Sequence, residues 1–300
     1  MPQRRGALPI TDAGVVDCAD AYARGVPFDR LERLRAKTPV VWLDGRMADR
    51  PGSWAVLRYA DVHHALTHPE LFAPQGDGIL HGPVTADVPD AGTVPPAPER
   101  SAPEPIDMDP PARAMLARVP YGETVDFAGD VVRDLPETLR NTLAGGLYAL
   151  LRHPAQYVRL QEARWDERLV DGAVEEMLRW WTPILQVWRI VRRDTVIGGV
   201  PLLAGERVTL WLVSANHDDE VFPDPGQFLP DRFVRGARSH LCFGFGFRAC
   251  LGARLARVQL RALLDALLER PGLPQIVGEP VMLRSNARHG FERLPVRWTR

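Results

Sequence analysis

The chain has 300 residues, 45% of them hydrophobic and 25% charged, and its 37 basic side chains nearly balance 38 acidic ones for a net charge of -1. That size can bury a substantial core in one large domain or two modest ones, and the charge balance argues against non-specific nucleic-acid binding. The three cysteines, Cys18, Cys242 and Cys250, show no CxxC spacing, which speaks against a disulfide framework or a zinc site and suits a reducing cytoplasm. No apolar run reaches the ~18 residues of a membrane span, and the opening MPQRRGALPITDAG lacks the apolar stretch of a signal peptide. A soluble, untethered cytoplasmic protein is expected.

Between Ala21 and Lys37, Phe28, Leu31, Leu34 and Arg35 fall at helical spacing. PVVWLDGR and SWAVLRY then read as two strands across a turn near Gly45 to Gly52. YADVHHALTHPELF follows as a helix ended by Pro69. From Ala73 to Pro111 proline, glycine and acidic residues recur, so 76–106 is expected to be a long loop, either a surface linker or the lining of a pocket. Val125, Phe127, Val131 and Val132 suggest a strand or short helix interrupted by Pro136. From Glu137, Leu139, Leu143, Leu147 and Leu150 mark a helix that stops at His153-Pro154.

A further helix is expected over Asp166 to Trp181, with Leu169, Ala173, Val174, Met177, Leu178 and Trp181 on one side and Glu176 three residues before Arg179. Taken alone, that pair could be an exposed ion pair of little worth. Residues 187–213 alternate as sheet, with turns at Gly198-Gly199 and at Ala204 to Glu206. SANHDDEVFPDPGQFLPDRF is rich in turns yet carries three phenylalanines. VMLRSN and RLPVRW close the chain as strands.

The stretch FGFGFRACLG, Phe243 to Gly252, sets Cys250 just before the periodic run LGARLARVQLRALLDALLER. There the free backbone donors and the dipole of a starting helix favour a thiolate. Gly244 and Gly246 let the backbone approach a flat object closely, and Phe243, Phe245 and Phe247 can shield it from water. By itself Cys250 could equally be a small buried hydrophobe. In the following helix Arg254, Arg257, Arg261 and Asp265 form one stripe, a solvated face or a docking patch for an acidic electron donor. Leu255, Leu260, Leu263 and Leu267 are expected to face the core.

FGFGFRACLG resembles the cysteine-ligand loop of the cytochrome P450 family: Phe-Gly, spacer, Gly, spacer, basic residue, spacer, Cys, spacer, Gly. Three other signatures accompany it in order, the acid-threonine pair Glu137-Thr138, Glu176-x-x-Arg179, and Asp231-Arg232-Phe233. The resemblance implies a soluble bacterial P450-like fold, mainly α with a smaller β part (α+β), as a single domain over 1–300. It implies haem b with Cys250 as axial thiolate. Arg248, Arg189, His240 and Arg113 would serve as contacts to the haem propionates, and Phe243 and Gly244 as neighbours of the ring. Read without the resemblance, Arg189 is a solvent-facing strand residue. Glu176, Arg179 and Arg232 would form a buried structural network, while Thr138 and Glu137 would order water and deliver protons. Ile184, Leu185 and Val187 stand where the family faces its substrate.

Two departures matter. After Asp109-Pro110-Pro111 the family's Glu-His and later Arg are replaced by Ala112, Arg113 and Ala117, with Arg118 one place late. Between about 118 and 137 almost all of the helical block that roofs the distal side is missing. A second copy or another protein is therefore expected over that face. The implied function is a haem-thiolate monooxygenase acting on a bulky apolar small molecule in bacterial specialised metabolism, supplied with electrons by ferredoxin and an NAD(P)H-dependent reductase. A peroxide-using haem-thiolate catalyst and a non-enzymatic auxiliary protein of the same fold are the alternatives.

Overall fold

Short apolar runs in the N-terminal part and over 187–210 build the main sheet, and longer 3.6-periodic runs build the principal helices. The computed structural model describes residues 11–45, 51–74, 108–246 and 249–299. The 76–106 loop and Arg248 lie outside the described residues.

The chain opens with α1 (Thr11–Asp17), a 3-10 stretch (Ala19–Arg24) and α2 (Phe28–Lys37). Leu31 and Leu34 of α2 are buried against Val16 and Tyr22. β1 (Val40–Leu43) and β2 (Ser53–Val56) pair antiparallel, with Trp42 opposite Trp54. α3 (Tyr59–Thr67) and β3 (Phe72–Pro74) follow, so the first residues expected to be loop are a strand edge. Pro110 and Pro111 open α4 (Asp109–Ala117), where an absent N–H costs nothing.

Residues 124–131 contain both a strand and a helical turn. β4 (Thr124–Asp126) runs into a π-helical turn (Phe127–Val131), and the Asp126 carboxylate accepts from the backbone N–H of Ala128 and of Leu294. Among the described residues, these are the only regular elements between α4 and α5 (Glu137–Arg152), in place of a long helical block. α6 (Pro154–Glu162), unanticipated in the sequence, and α7 (Glu167–Trp181) come next. The Asp166 side chain caps α7 through the Leu169 N–H at 3.2 Å.

β5 (Val187–Val191), β6 (Thr195–Ile197), β7 (Val200–Leu202) and β8 (Arg207–Leu210) supply the expected alternating region. Gly198 and Gly199, at φ 53° and 78°, make the β6–β7 turn. The sheet expected to reach Val213 stops early, because Leu212–Ala215 forms a single helical turn, α8. All four of its residues are buried, so no alternation distinguishes strand from helix there. α9 (Ala253–Glu269), β9 (Leu273–Ile276), β10 (Val281–Met282), β11 (Phe291–Arg293) and β12 (Pro295–Thr299) complete the chain.

The main sheet has the order β1-β2-β8-β5-β3, antiparallel except for the parallel β2–β8 pair. A second sheet, β4-β12-β9, and the hairpins β6–β7 and β10–β11 are smaller. α5, α7 and α9 pack together through Leu143, Leu147, Val174, Leu178, Leu260, Leu264 and Leu267. Leu255 does not join them. It is 42% exposed, on the first turns of α9 beside Cys250.

Candidate functional site

Glu176 and Arg179 lie one helical turn apart on α7, and both side chains are fully buried. The guanidinium of Arg179 donates to both carboxylate oxygens of Glu176 at 2.8 Å. Arg232 Nε adds a third charged donor at 3.1 Å, and the Leu229 N–H a fourth at 3.0 Å. Two cations thus meet one anion in a dry environment. The excess charge is met by backbone carbonyls: Asn216 and Pro225 accept from Arg179, and Pro223 and Asp224 accept from Arg232. The structure brings Arg232, 56 residues on, to the Glu176–Arg179 pair to make one satisfied cluster.

The cysteine loop stands beside it. Tyr59 of α3 donates its hydroxyl to the Ser239 carbonyl at 2.7 Å, and the His63 ring packs 4.4 Å from that of Phe245. Gly244 and Gly246 take φ of 69° and 70°, a left-handed backbone that a side chain would strain. The Gly244 N–H bonds Leu241 O, and the Cys250 N–H bonds Phe243 O at 2.8 Å. These bonds fold the loop back so that Cys250 ends three residues before α9, with its carbonyl accepting from the Ala253 N–H.

The Cys250 thiol is free and exposed. In the neighbouring sequence Leu251 is wholly exposed, Leu255 42% and Phe245 36%. An accessible cysteine just before a helix, with exposed apolar side chains on either side of it in the chain, suits a flat apolar macrocycle ligated by thiolate, and so these residues fit haem. They do not suit a multidentate ion. Among the described residues no group of three or more His, Cys, Asp or Glu could hold a metal.

The expected propionate contacts are dispersed. His240 is buried and turns Nε2 toward Glu175 Oε2 at 3.3 Å, while its Nδ1 accepts from the Cys242 N–H. Glu175 also takes a bidentate bond from Arg257 at 2.6 and 3.0 Å. Burial opposes its ionised form, yet His240 and Arg257 hold its pKa at about 2. Arg113 is engaged by Glu269 of α9 at 2.9 and 3.0 Å on the surface, so it would have to leave that partner to reach a propionate. Arg189 is buried on β5, where it donates to Trp188 O.

Glu137 and Thr138 occupy the first turn of α5. Glu137 pairs with Arg288, and the Thr138 carbonyl accepts from the Thr142 hydroxyl at 2.7 Å. Of the three expected substrate-facing residues, Ile184 and Val187 are half-buried. Leu185 is fully buried beside Trp211 and Tyr22, and so is committed to the core. Sequence reasoning passed over Thr182, Asn216, Glu175 and Arg288. Of these, only Thr182, preceding a proline at a helix end, carried a local signal, that of a C-cap.

Comparison with known proteins fits this geometry. The family model described as Cytochrome P450 matches residues 135–270. The Steroid C26-monooxygenase of Mycolicibacterium smegmatis is 44% identical over 165 residues, which are 54% of this chain and 40% of that protein. The Methyl-branched lipid omega-hydroxylase of Mycobacterium bovis is 38% identical over 168 residues, 54% of this chain and 37% of that protein. The chain thus spans about two fifths of the length of these curated relatives. Among solved structures, cytochrome P450-153 from Novosphingobium aromaticivorans shares the fold at a TM-score of 0.77 and 24% identity, over 94% of this chain and 98% of that one. No helix among the described residues is long and apolar enough to cross a membrane.

Proposed function

Since the chain belongs to the cytochrome P450 family, we propose that it is a haem-thiolate monooxygenase, with residues 1–300 acting as one haem domain and Cys250 as the axial ligand. The observation that carries this reading is the exposed Cys250 sulfur, folded back by its N–H bond to Phe243 O at the start of α9. When bound, haem b supplies the activation of dioxygen needed to oxidise an unactivated C–H bond. The chain's own residues hold and shield it. Phe243, Phe245 and Leu251 would exclude water from one side of the ring, and Arg189 and His240 would be the basic groups recruited to its carboxylates, with the His240 ring 5.8 Å from that of Phe243.

Glu137 and Thr138 would handle protons on the opposite side, with Arg288 setting the direction of the Glu137 carboxylate. The substrate class is a bulky apolar molecule oxidised toward one end, because the two curated relatives are named for a steroid and a methyl-branched lipid. Ferredoxin and an NAD(P)H-dependent reductase would be the electron source. Purified protein reconstituted with haem should give, on reduction and exposure to carbon monoxide, the red-shifted Soret band of thiolate ligation. Cys250→Ala should abolish it. Absence of that band in the parent protein would refute the reading.

One observation favours a second reading, use of peroxide. Thr138 is exposed, and only β4 and a π-helical turn stand between α4 and α5, so the distal side is open to small oxidants. Turnover with ferredoxin and NAD(P)H but none with peroxide would remove it.

A further inference from the structure

The side chains of Glu176, Arg179 and Arg232 make no hydrogen bond to the described residues of the cysteine loop. Those of Glu176 and Arg179 bond one another, Arg232, and backbone at 216, 225, 227 and 229. We infer that Asn216 is the positioning residue that transmits this cluster's rigidity to the loop and thereby fixes where the Cys250 sulfur sits. The inference rests on the reading of Cys250 as the haem ligand.

Asn216 is fully buried at the end of α8, and each of its polar groups faces a specific partner. Its backbone carbonyl accepts from Arg179 Nη1 at 2.8 Å. Its side-chain Oδ1 accepts from the Leu241 N–H at 2.8 Å. Its Nδ2 donates to Thr182 Oγ1 at 3.0 Å and to Cys242 Sγ at 3.1 Å. The orientation of the amide follows from its neighbours. A backbone N–H can only donate, so Oδ1 must face Leu241. The Thr182 hydroxyl has its proton on Arg179 O at 2.7 Å, and the Cys242 thiol has its own on Leu178 O at 3.0 Å, so both are left to accept. No other side chain of this size has an acceptor and a two-proton donor in the same places.

Two features indicate that this arrangement is held under load. Thr182 is a β-branched residue in the left-handed region, at φ 48°, a conformation that persists only where its surroundings enforce it. Its hydroxyl joins the last turn of α7 to Asn216. Beyond Leu241 the path continues, since Leu241 O accepts from the Gly244 N–H at 2.9 Å and Phe243 O accepts from the Cys250 N–H at 2.8 Å. An unbroken run of short bonds and peptide units therefore joins Arg179 to Cys250, and Asn216 is its one side-chain link. Without that link the root of the loop keeps to α7 only the Cys242 Sγ contacts, to Leu178 O at 3.0 Å and to Thr182 Oγ1 at 3.8 Å. The position of the Cys250 sulfur is then less tightly fixed.

The test compares the parent, Asn216→Ala and Cys242→Ala as full-length proteins, with two readouts. In the haem-loaded, reduced carbonmonoxy state, Asn216→Ala should convert from the thiolate band to the band of a neutral thiol with its pH midpoint raised by about one unit or more. Cys242→Ala, which keeps the Leu241 contact but removes the thiol's own tie to Leu178 O, should move less than Asn216→Ala. In haem-free protein, amide exchange over 239–246 should speed up by roughly tenfold in Asn216→Ala, while α5 peptides remain unchanged. Should Asn216→Ala fail to fold, Asn216→Ser, which keeps one polar group but loses the reach to Leu241, serves for the same measurements. An asparagine variant that melts lower but retains the parent's band, midpoint and exchange rates has lost stability alone, and that overturns the positioning role. The two ideas fail separately. A parent protein without the thiolate band sinks Cys250 as ligand, whereas unchanged exchange over 239–246 sinks Asn216 whatever the haem does.

Discussion

Among the described residues, Glu176 is the only carboxylate facing two buried guanidiniums, and that asymmetry decides what its loss does. Glu176→Gln would leave two cations in a dry site, at a cost of about 3–5 kcal/mol. Urea unfolding should show a midpoint lowered to match, together with reduced haem retention. The His240–Glu175 pair makes a separate prediction in pH. Glu175, lowered to about 2 by His240 and Arg257 against the effect of its burial, contributes above its ordinary 4.5 and loses its share as pH falls through about 2. The melting temperature should therefore fall between pH 4.5 and 2, and Glu175→Gln should flatten that slope. A parent protein with constant melting temperature across the window would contradict the assignment.

Among the helices, α5 meets α7 where Gly145 faces the Trp181 indole, and a side chain there would fall directly on the ring. Gly145→Ala gains up to about 1 kcal/mol of helix propensity but overpacks a fully buried tryptophan, so the expected net loss is about 1–3 kcal/mol. Thermal denaturation of the variant, with far-UV dichroism to confirm retained helix, measures it. The same helices explain what could be read in the sequence. α5, α7 and α9 carry leucines at a 3.6 period, and Glu176 and Arg179 share a face by spacing alone, so their elements and pairing were legible. α6, whose polar sequence buries only Tyr157 and Leu160, gave too faint a stripe. α8 was hidden for the opposite reason, being apolar on every side. Leu255 kept the period of its helix but lies on the turn next to Cys250, where neighbours of its own chain are lacking. Asn216 bonds Thr182 and Leu241 across 34 and 25 residues, and no local pattern encodes such a meeting.

For the molecule as a whole, a net charge of -1 provides no long-range field to steer an acidic electron donor, so any such steering has to be local. The basic stripe of α9 is less available than its sequence suggests. Arg257 is held by Glu175 and Arg261 by Asp171 across an open cleft of about 530 Å³ between α7 and α9, and Arg261 is paired within α9 by Asp265. The first two pairs tie the helices together, and all three neutralise most of the stripe. Arg254 differs from them. It is exposed one turn after Cys250, beside Leu251 and Leu255, where an incoming protein could bury an apolar patch and pair one carboxylate. If ferredoxin supplies the electrons, Arg254→Glu should raise its apparent KM about 3–10-fold, and added salt should weaken the parent more than the variant. Peroxide-driven turnover, where it occurs, should be indifferent to the substitution because no partner need dock. Arg261→Gln should instead lower stability with little effect on the ferredoxin KM, since its charge is already spent between α7 and α9. Equal KM effects from the two substitutions would mean that docking uses the stripe as a whole and opens the ion pairs across the cleft.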